Sequence, residues 1–140
     1  MRVTDFFDTN VLLYLFSGDD LKANCAEALL AEGGVVSVQV LNEFASVASR
    51  KLVMPWAEIQ TVLRDIRRFC KAVPLTVEAH ERGLELVQRY GFSLYDAMVV
   101  ASALEAGCTS LWSEDFQDGL QVEGKLTIRN PFIIKPFINK

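Results

Sequence analysis

Phe6-Phe7-Asp8-Thr9-Asn10-Val11-Leu12-Leu13-Tyr14 joins two apolar runs through a single carboxylate. The first run, Val3 to Asp8, reads as a buried strand. The second, from Val11 to Phe16, reads as a short helix ended by Ser17-Gly18. Asp8 then stands at the end of a strand, with Thr9 and Asn10 able to hydrogen-bond it or to start the helix. Open parallel α/β sheets place their ligand sites outside the carboxyl ends of the strands. The remaining sequence is therefore read for what else reaches that edge.

The same alternation continues along the chain. Asp19 or Asp20 caps a helix through Leu21, Cys25, Ala28 and Leu29, closed by Gly33-Gly34. Val35-Val36-Ser37-Val38 reads as a strand covered on both faces. Val40, Leu41, Phe44, Val47 and Ala48 recur at helical spacing, and this helix carries Glu43 near its start. Pro55 opens a further helix with a core stripe of Ile59, Val62, Leu63, Ile66 and Phe69.

Pro74 places the short strand Ala72 to Leu75 at a sheet edge, because it has no N–H to give a ladder. Thr76 caps a helix ending near Tyr90-Gly91, and Ser93 caps another from Leu94 to about Ala106. The latter is apolar nearly all round, which fits burial in the core or partly against a second subunit. Ser110-Leu111-Trp112 and Leu126-Thr127-Ile128 are strand-like, with a loop from Ser113 to Gly119 after the first. Alternating strands and helices predict an α/β layer fold with a mainly parallel sheet.

With 140 residues and 51% apolar composition the chain suits one domain, 1–140, that buries a core without disulfides. Cys25, Cys70 and Cys108 form no CxxC pair and read as reduced, mostly buried thiols. The early apolar stretch is interrupted by Asp5 and Asp8, unlike a signal peptide, and no run approaches a membrane span. A cytoplasmic protein without membrane contact is expected. The net charge of -4 argues against non-specific coating of nucleic acid. It leaves room for a nuclease whose bound metals supply the positive charge.

Four acids occupy equivalent places: Asp8 ends the first strand, Glu43 follows the second, Asp96 opens the helix after Ser93, and Asp115 follows Ser110 to Trp112. Strand ends of one parallel sheet face the same side, so these carboxylates can converge. Convergent carboxylates repel unless a cation intervenes. All-oxygen ligation selects hard cations, Mg²⁺ or Mn²⁺ beside phosphate substrates. Two such ions about 3.5–4 Å apart can activate water and stabilise a phosphodiester's leaving oxygen.

Each acid also has a structural reading. Asp8 can cap a helix, Glu43 can be solvated, Ser93-Leu94-Tyr95-Asp96 resembles a capping box, and Glu114 and Asp118 compete with Asp115. The basic residues Arg64, Arg67, Arg68 and Lys71 form a candidate face for an RNA backbone, or a solvated helix face. His80 is the sole histidine and lies within a helix, which disfavours Ser-His or Cys-His catalysis. No zinc spacing or phosphate-binding glycine loop is present.

Taken together, these motifs resemble the PIN-domain family, in particular VapC-type toxins of toxin–antitoxin pairs. Asp8-Thr9-Asn10 is similar to the family's first motif, Ser37 to Glu43 to its second, Tyr95-Asp96-Ala97 to its third and Ser113 to Phe116 to its fourth. The likeness runs from Val3 to Pro131 and implies a three-layer fold, a mainly parallel central sheet flanked by helices. It implies a Mg²⁺- or Mn²⁺-dependent endoribonuclease with Asp8, Glu43, Asp96 and Asp115 as metal-binding acids and Asn10 and Ser113 as supporting groups. Water is then the nucleophile, and no residue attacks covalently. The resemblance also implies a homodimer and an antitoxin that blocks the site. It assigns no role to the tail, 133–140. Two rival readings are a non-catalytic binding module and a metal-dependent nuclease acting on DNA.

Overall fold

Phe6 and Phe7 have no exposed surface, and the strand that carries them, β1 (Asp5–Phe7), lies in the middle of a six-stranded sheet. This computed structural model describes residues 4–133. The expectation for Val3 and the rest of the tail beyond Ile133 fall outside the described residues. The other strands are β2 (Gly34–Ser37), β3 (Cys70–Val73), β4 (Ser110–Trp112), β5 (Gln121–Val122) and β6 (Leu126–Arg129). Their order is β3-β2-β1-β4-β6-β5. Only β5 runs antiparallel, against β6.

Phe6 pairs with Val35 on one side and with Leu111 on the other. The chain leaves β1 first toward β2 and β3, then returns to β4 on the opposite side. β1 and β4 therefore flank a switch point, where the loops beyond the carboxyl ends part and open a crevice. Gly34 opens β2 because nothing larger fits: a Cβ there would come within 2.5 Å of the Phe7 ring and 2.6 Å of the Asp5 carbonyl.

The helices are α1 (Thr9–Leu13), α2 (Asp20–Ala31), α3 (Val38–Arg50), α4 (Trp56–Phe69), α5 (Val77–Tyr90) and α6 (Leu94–Glu105), with a 3-10 turn at Tyr14–Phe16. The caps expected at Asp19, Thr76 and Ser93 are in place, each accepting a backbone N–H of the first helical turn, and Ser37 does the same for α3; Gly91 ends α5 at φ 74°. β2 is buried along its whole length, with α3 packed on it and α6 also in contact, as its β-branched run predicts. α6 is buried from Ala97 to Leu104, so its apolar circumference belongs to the core. The three cysteines are free thiols. Burial pushes Cys70 up to about 11 and Cys108 up to about 12.

Several local expectations are corrected. Val38 starts α3 instead of ending β2, because Ser37 caps the helix there. The buried positions of α2 are Ala26 and Leu30, while Leu21 is 73% exposed. Phe69, expected in the core stripe of α4, is half-exposed at the helix end. The strand β3 begins at Cys70 and stops before Pro74, at the sheet edge that this proline predicts. The two-residue β5 has no periodicity to reveal it, and exists through its pairing with β6.

Candidate active site

Asp8 follows β1 directly and is 4% exposed. One of its oxygens caps α1, accepting the Thr9 N–H at 2.7 Å. The other accepts the Ser113 hydroxyl at 2.7 Å, from the end of β4. Both readings of Asp8 therefore hold together: it caps a helix and faces the switch-point crevice. Ser113 Oγ in turn accepts the Asn10 amide at 3.2 Å and the Asp115 N–H at 3.1 Å. Asn10 Nδ2 also reaches Asp115 Oδ2 at 3.2 Å. A compact polar network thus ties the two loops on either side of the crevice.

Asp96 arrives from the first turn of α6. Its N–H is capped by Ser93 Oγ at 3.2 Å. Carboxylate oxygens of Asp8, Asp96 and Asp115 lie within 4.8 Å of one another. Capping by Ser93 thus fixes the helix start that delivers Asp96 to the cluster.

Glu43 is half-buried on α3 and accepts from Gln39 Nε2 at 3.3 Å. It stands at the rim of the group and is not one of the three that meet. Glu114 is engaged elsewhere: the Tyr14 hydroxyl donates to its carboxylate at 2.8 Å, and Lys22 Nζ donates to that hydroxyl at 3.2 Å. Asp118 accepts the Asn130 N–H at 2.9 Å. Of the acids in this loop, Asp115 alone joins the cluster.

The electrostatics follow from burial without a counter-charge. Among the described residues, no Lys or Arg pairs with Asp8, Asp96 or Asp115. Burial raises the Asp8 carboxyl from 3.8 to about 7, partly offset by the bonds from Ser113 and Thr9, with the Asp115 and Asp96 charges adding to the rise. Burial also raises Asp96 and Glu43. The Ser93 and Gln39 bonds oppose those rises, and the Asp115 charge pushes both further up. Thr9 Oγ1, buried beside Asp8, has no hydrogen-bond partner among the described residues.

Such a set fits a divalent cation. It offers only hard oxygen donors, it is short of positive charge, and it spans a distance suited to one or two carboxylates with retained waters. The group can bind a metal through Asp8, Asp96 and Asp115, with Glu43 behind them.

Arg64, Arg67, Arg68 and Lys71 are not brought to this place. They occupy the second half of α4 and the start of β3, where Lys71 pairs in register with Val35. That is the amino edge of the parallel strands, whereas the acids sit at the carboxyl edge. Arg68 pairs with Asp65 at 3.6 Å in the open. All four are exposed. Sequence reasoning also missed Gln39, whose Nε2 bridges Glu43 and the Tyr95 carbonyl, the latter at 3.4 Å. Its position one helical turn before Glu43 was the available signal.

A groove of about 690 Å³ lies between α2 and α4 around Leu15, Phe16, Val62 and Ile66, and shares no residue with the carboxylate cluster. A second cavity of about 530 Å³ borders Glu43 and Tyr95.

Comparison with solved structures finds the same fold repeatedly. A toxin–antitoxin complex from Klebsiella pneumoniae superposes with TM-score 0.70 at 23% identity, covering 93% of this chain and 99% of that one. VapC20 of Mycobacterium tuberculosis, a sarcin-ricin loop cleaving toxin, gives 0.64 at 21% identity, over 79% and 91% of the two chains. VapBC2 from Rickettsia felis, bound to a DNA fragment from its promoter, gives 0.66 at 16% identity, over 90% and 97%. No curated protein sequence matches. The sequence itself matches the PIN domain over residues 6–117, a span that includes Asp8, Glu43, Asp96 and Asp115. With that match over most of its length, and with β1, α6 and the loop after β4 converging on one acidic crevice, the chain belongs to the PIN-domain family.

Proposed function

We propose that this protein is a metal-dependent endoribonuclease and the toxin of a toxin–antitoxin pair. The observation that carries the reading is the meeting of Asp8, Asp96 and Asp115 at the switch point, with no Lys or Arg paired to them among the described residues. Mg²⁺ or Mn²⁺ is the proposed cofactor, held by these three acids and Glu43. When bound, such an ion offsets the repulsion of a phosphodiester and favours ionisation of a water.

The protein's own groups do the rest. Asp8, buried and clamped by Ser113 and Thr9, is held in one orientation. Asn10 and Ser113 keep Asp115 in register with it. Asp96 is fixed by the capped start of α6. Water is the nucleophile in this reading, since the Ser113 hydroxyl is fully buried and already donates to Asp8. The likeness to VapC20, a sarcin-ricin loop cleaving toxin, supports RNA as substrate. The toxin–antitoxin complexes support a cognate antitoxin, and we extend the proposal to a homodimer.

The test is cleavage of a fluorophore-quenched single-stranded RNA and of the DNA of the same sequence. Wild type and Asp96→Asn are compared with chelator, Mg²⁺ and Mn²⁺. Metal-dependent cleavage of RNA, lost in Asp96→Asn, is expected. Equal cleavage by both proteins overturns the site, and cleavage of DNA alone overturns the substrate.

A further inference from the structure

The cavity of about 530 Å³ beside Glu43 falls within the roughly 300–1,000 Å³ typical of small-ligand pockets. Val38, Pro74, Leu75 and Tyr95 give it an apolar wall, and Gln39 and Asn42 line it with amides. Among the described residues, no Lys or Arg lines it. Tyr95 is 66% exposed there although it directly precedes Asp96, and Val38 and Leu75 are 43% and 40% exposed. Asn42 is exposed. Gln39 holds the wall to the acid cluster, since its Nε2 reaches both Glu43 and the Tyr95 carbonyl.

An exposed ring, an apolar surface, the exposed Asn42 amide and the remaining amide oxygen of Gln39, with no Lys or Arg among the lining residues, match a flat neutral heterocycle and not a phosphate. Nucleobases are recognised in this way, by stacking on an aromatic side chain and by hydrogen bonds to the base edge. We infer that this cavity seats one unstacked nucleobase of a single-stranded RNA, next to the phosphodiester held at the carboxylates. Tyr95 stacks on the base, while Asn42 and Gln39 bond its edge. The inference rests on the ribonuclease reading, and it makes the substrate single-stranded, because a base within a duplex cannot enter.

The probe is an RNA decamer of randomised sequence with one central 2-aminopurine, titrated in Ca²⁺ buffer, with the RNA checked for integrity afterwards. Wild type should quench the 2-aminopurine fluorescence. Tyr95→Phe should bind like wild type, and Tyr95→Leu about 5- to 160-fold more weakly, the range of base–aromatic stacking. Leu84→Ala, an exposed apolar change on α5, is the control and should bind like wild type. Tyr95 is a surface residue, so unaltered melting temperatures are expected throughout.

Unchanged affinity in Tyr95→Leu overturns the inference, as does a wild type that never quenches. A smaller assembly for Tyr95→Leu in sedimentation also overturns it, by making this wall a subunit interface. Cleavage of the same RNA in Mn²⁺ judges the underlying reading separately. Metal-dependent cleavage with Tyr95-independent binding sinks only the base site. Tyr95-dependent binding without any cleavage sinks only the nuclease.

Discussion

Replacing Asp8 by Asn should stabilise the metal-free protein at neutral pH, although it removes a residue at the centre of the site. Folding raises the Asp8 carboxyl from 3.8 to about 7. Between those pH values the folded chain holds a proton that the unfolded chain has released. Stability therefore falls as pH rises through this window, by ~1.4 kcal/mol per pH unit, or roughly 4 kcal/mol in all.

Asn carries no charge to desolvate and avoids that loss. It keeps an oxygen for the Thr9 N–H but cannot accept from Ser113 as well, which costs about 1–2 kcal/mol. The net expectation above pH 7 is a gain of about 2 kcal/mol, or a melting temperature higher by about 6–8 °C for a chain of this size. At pH 4 wild-type Asp8 is itself protonated, the advantage disappears, and the two curves cross.

Thermal melts of both proteins from pH 4 to pH 8 in chelator measure this directly. Saturating Mn²⁺ should reverse the order at pH 8, because a ligand bound only by the folded wild type adds about 2.7 kcal/mol at a hundred times its Kd. Parallel pH profiles, with Asp8→Asn no more stable than wild type at pH 8, would refute the burial argument. A metal response shared by both proteins would move the cation site away from Asp8.

Other consequences follow from the same contacts. Asp115→Asn should abolish the Mn²⁺ stabilisation and RNA cleavage, whereas Glu114→Gln should keep both, since Glu114 is bound to Tyr14; identical behaviour in calorimetry would undo that distinction. Arg67→Ala combined with Arg68→Ala should leave the salt dependence of RNA binding unchanged, because the pair sits at the far edge of the sheet; a flatter slope would return that face to the substrate path. Gly34→Ala should cost about 1–3 kcal/mol in urea melts by driving a methyl into the Phe7 ring and the Asp5 carbonyl. A neutral result there would mean that β1 and β2 can separate without loss.

Most of the local structure was legible in the sequence, because its signals are local. Asp19, Thr76 and Ser93 announce helix starts through their own side chains, and Gly91 marks an end through its backbone freedom. The buried run Val35 to Ser37 and the proline after β3 placed one strand inside the sheet and one at its edge. Where signals weakened, the reading slipped. In α2 the apolar residues are too evenly spread to say which face is inward, and β5 is too short to carry a period.

Sequence alone determined that four acids stand at strand ends or helix starts, in an order matching the PIN domain. Tertiary structure alone decided which of them meet. Asp8 and Ser113 are 105 residues apart, and their bond exists because β1 pairs with β4. The same pairing puts Asp115 opposite Asn10, while Tyr14 and Lys22 draw Glu114 away. Strand order likewise sent the basic end of α4 to the opposite edge. Strand neighbours are chosen by the burial of whole faces, which no short stretch of sequence records; charge and hydrogen bonding then sort the acids that this choice brings together.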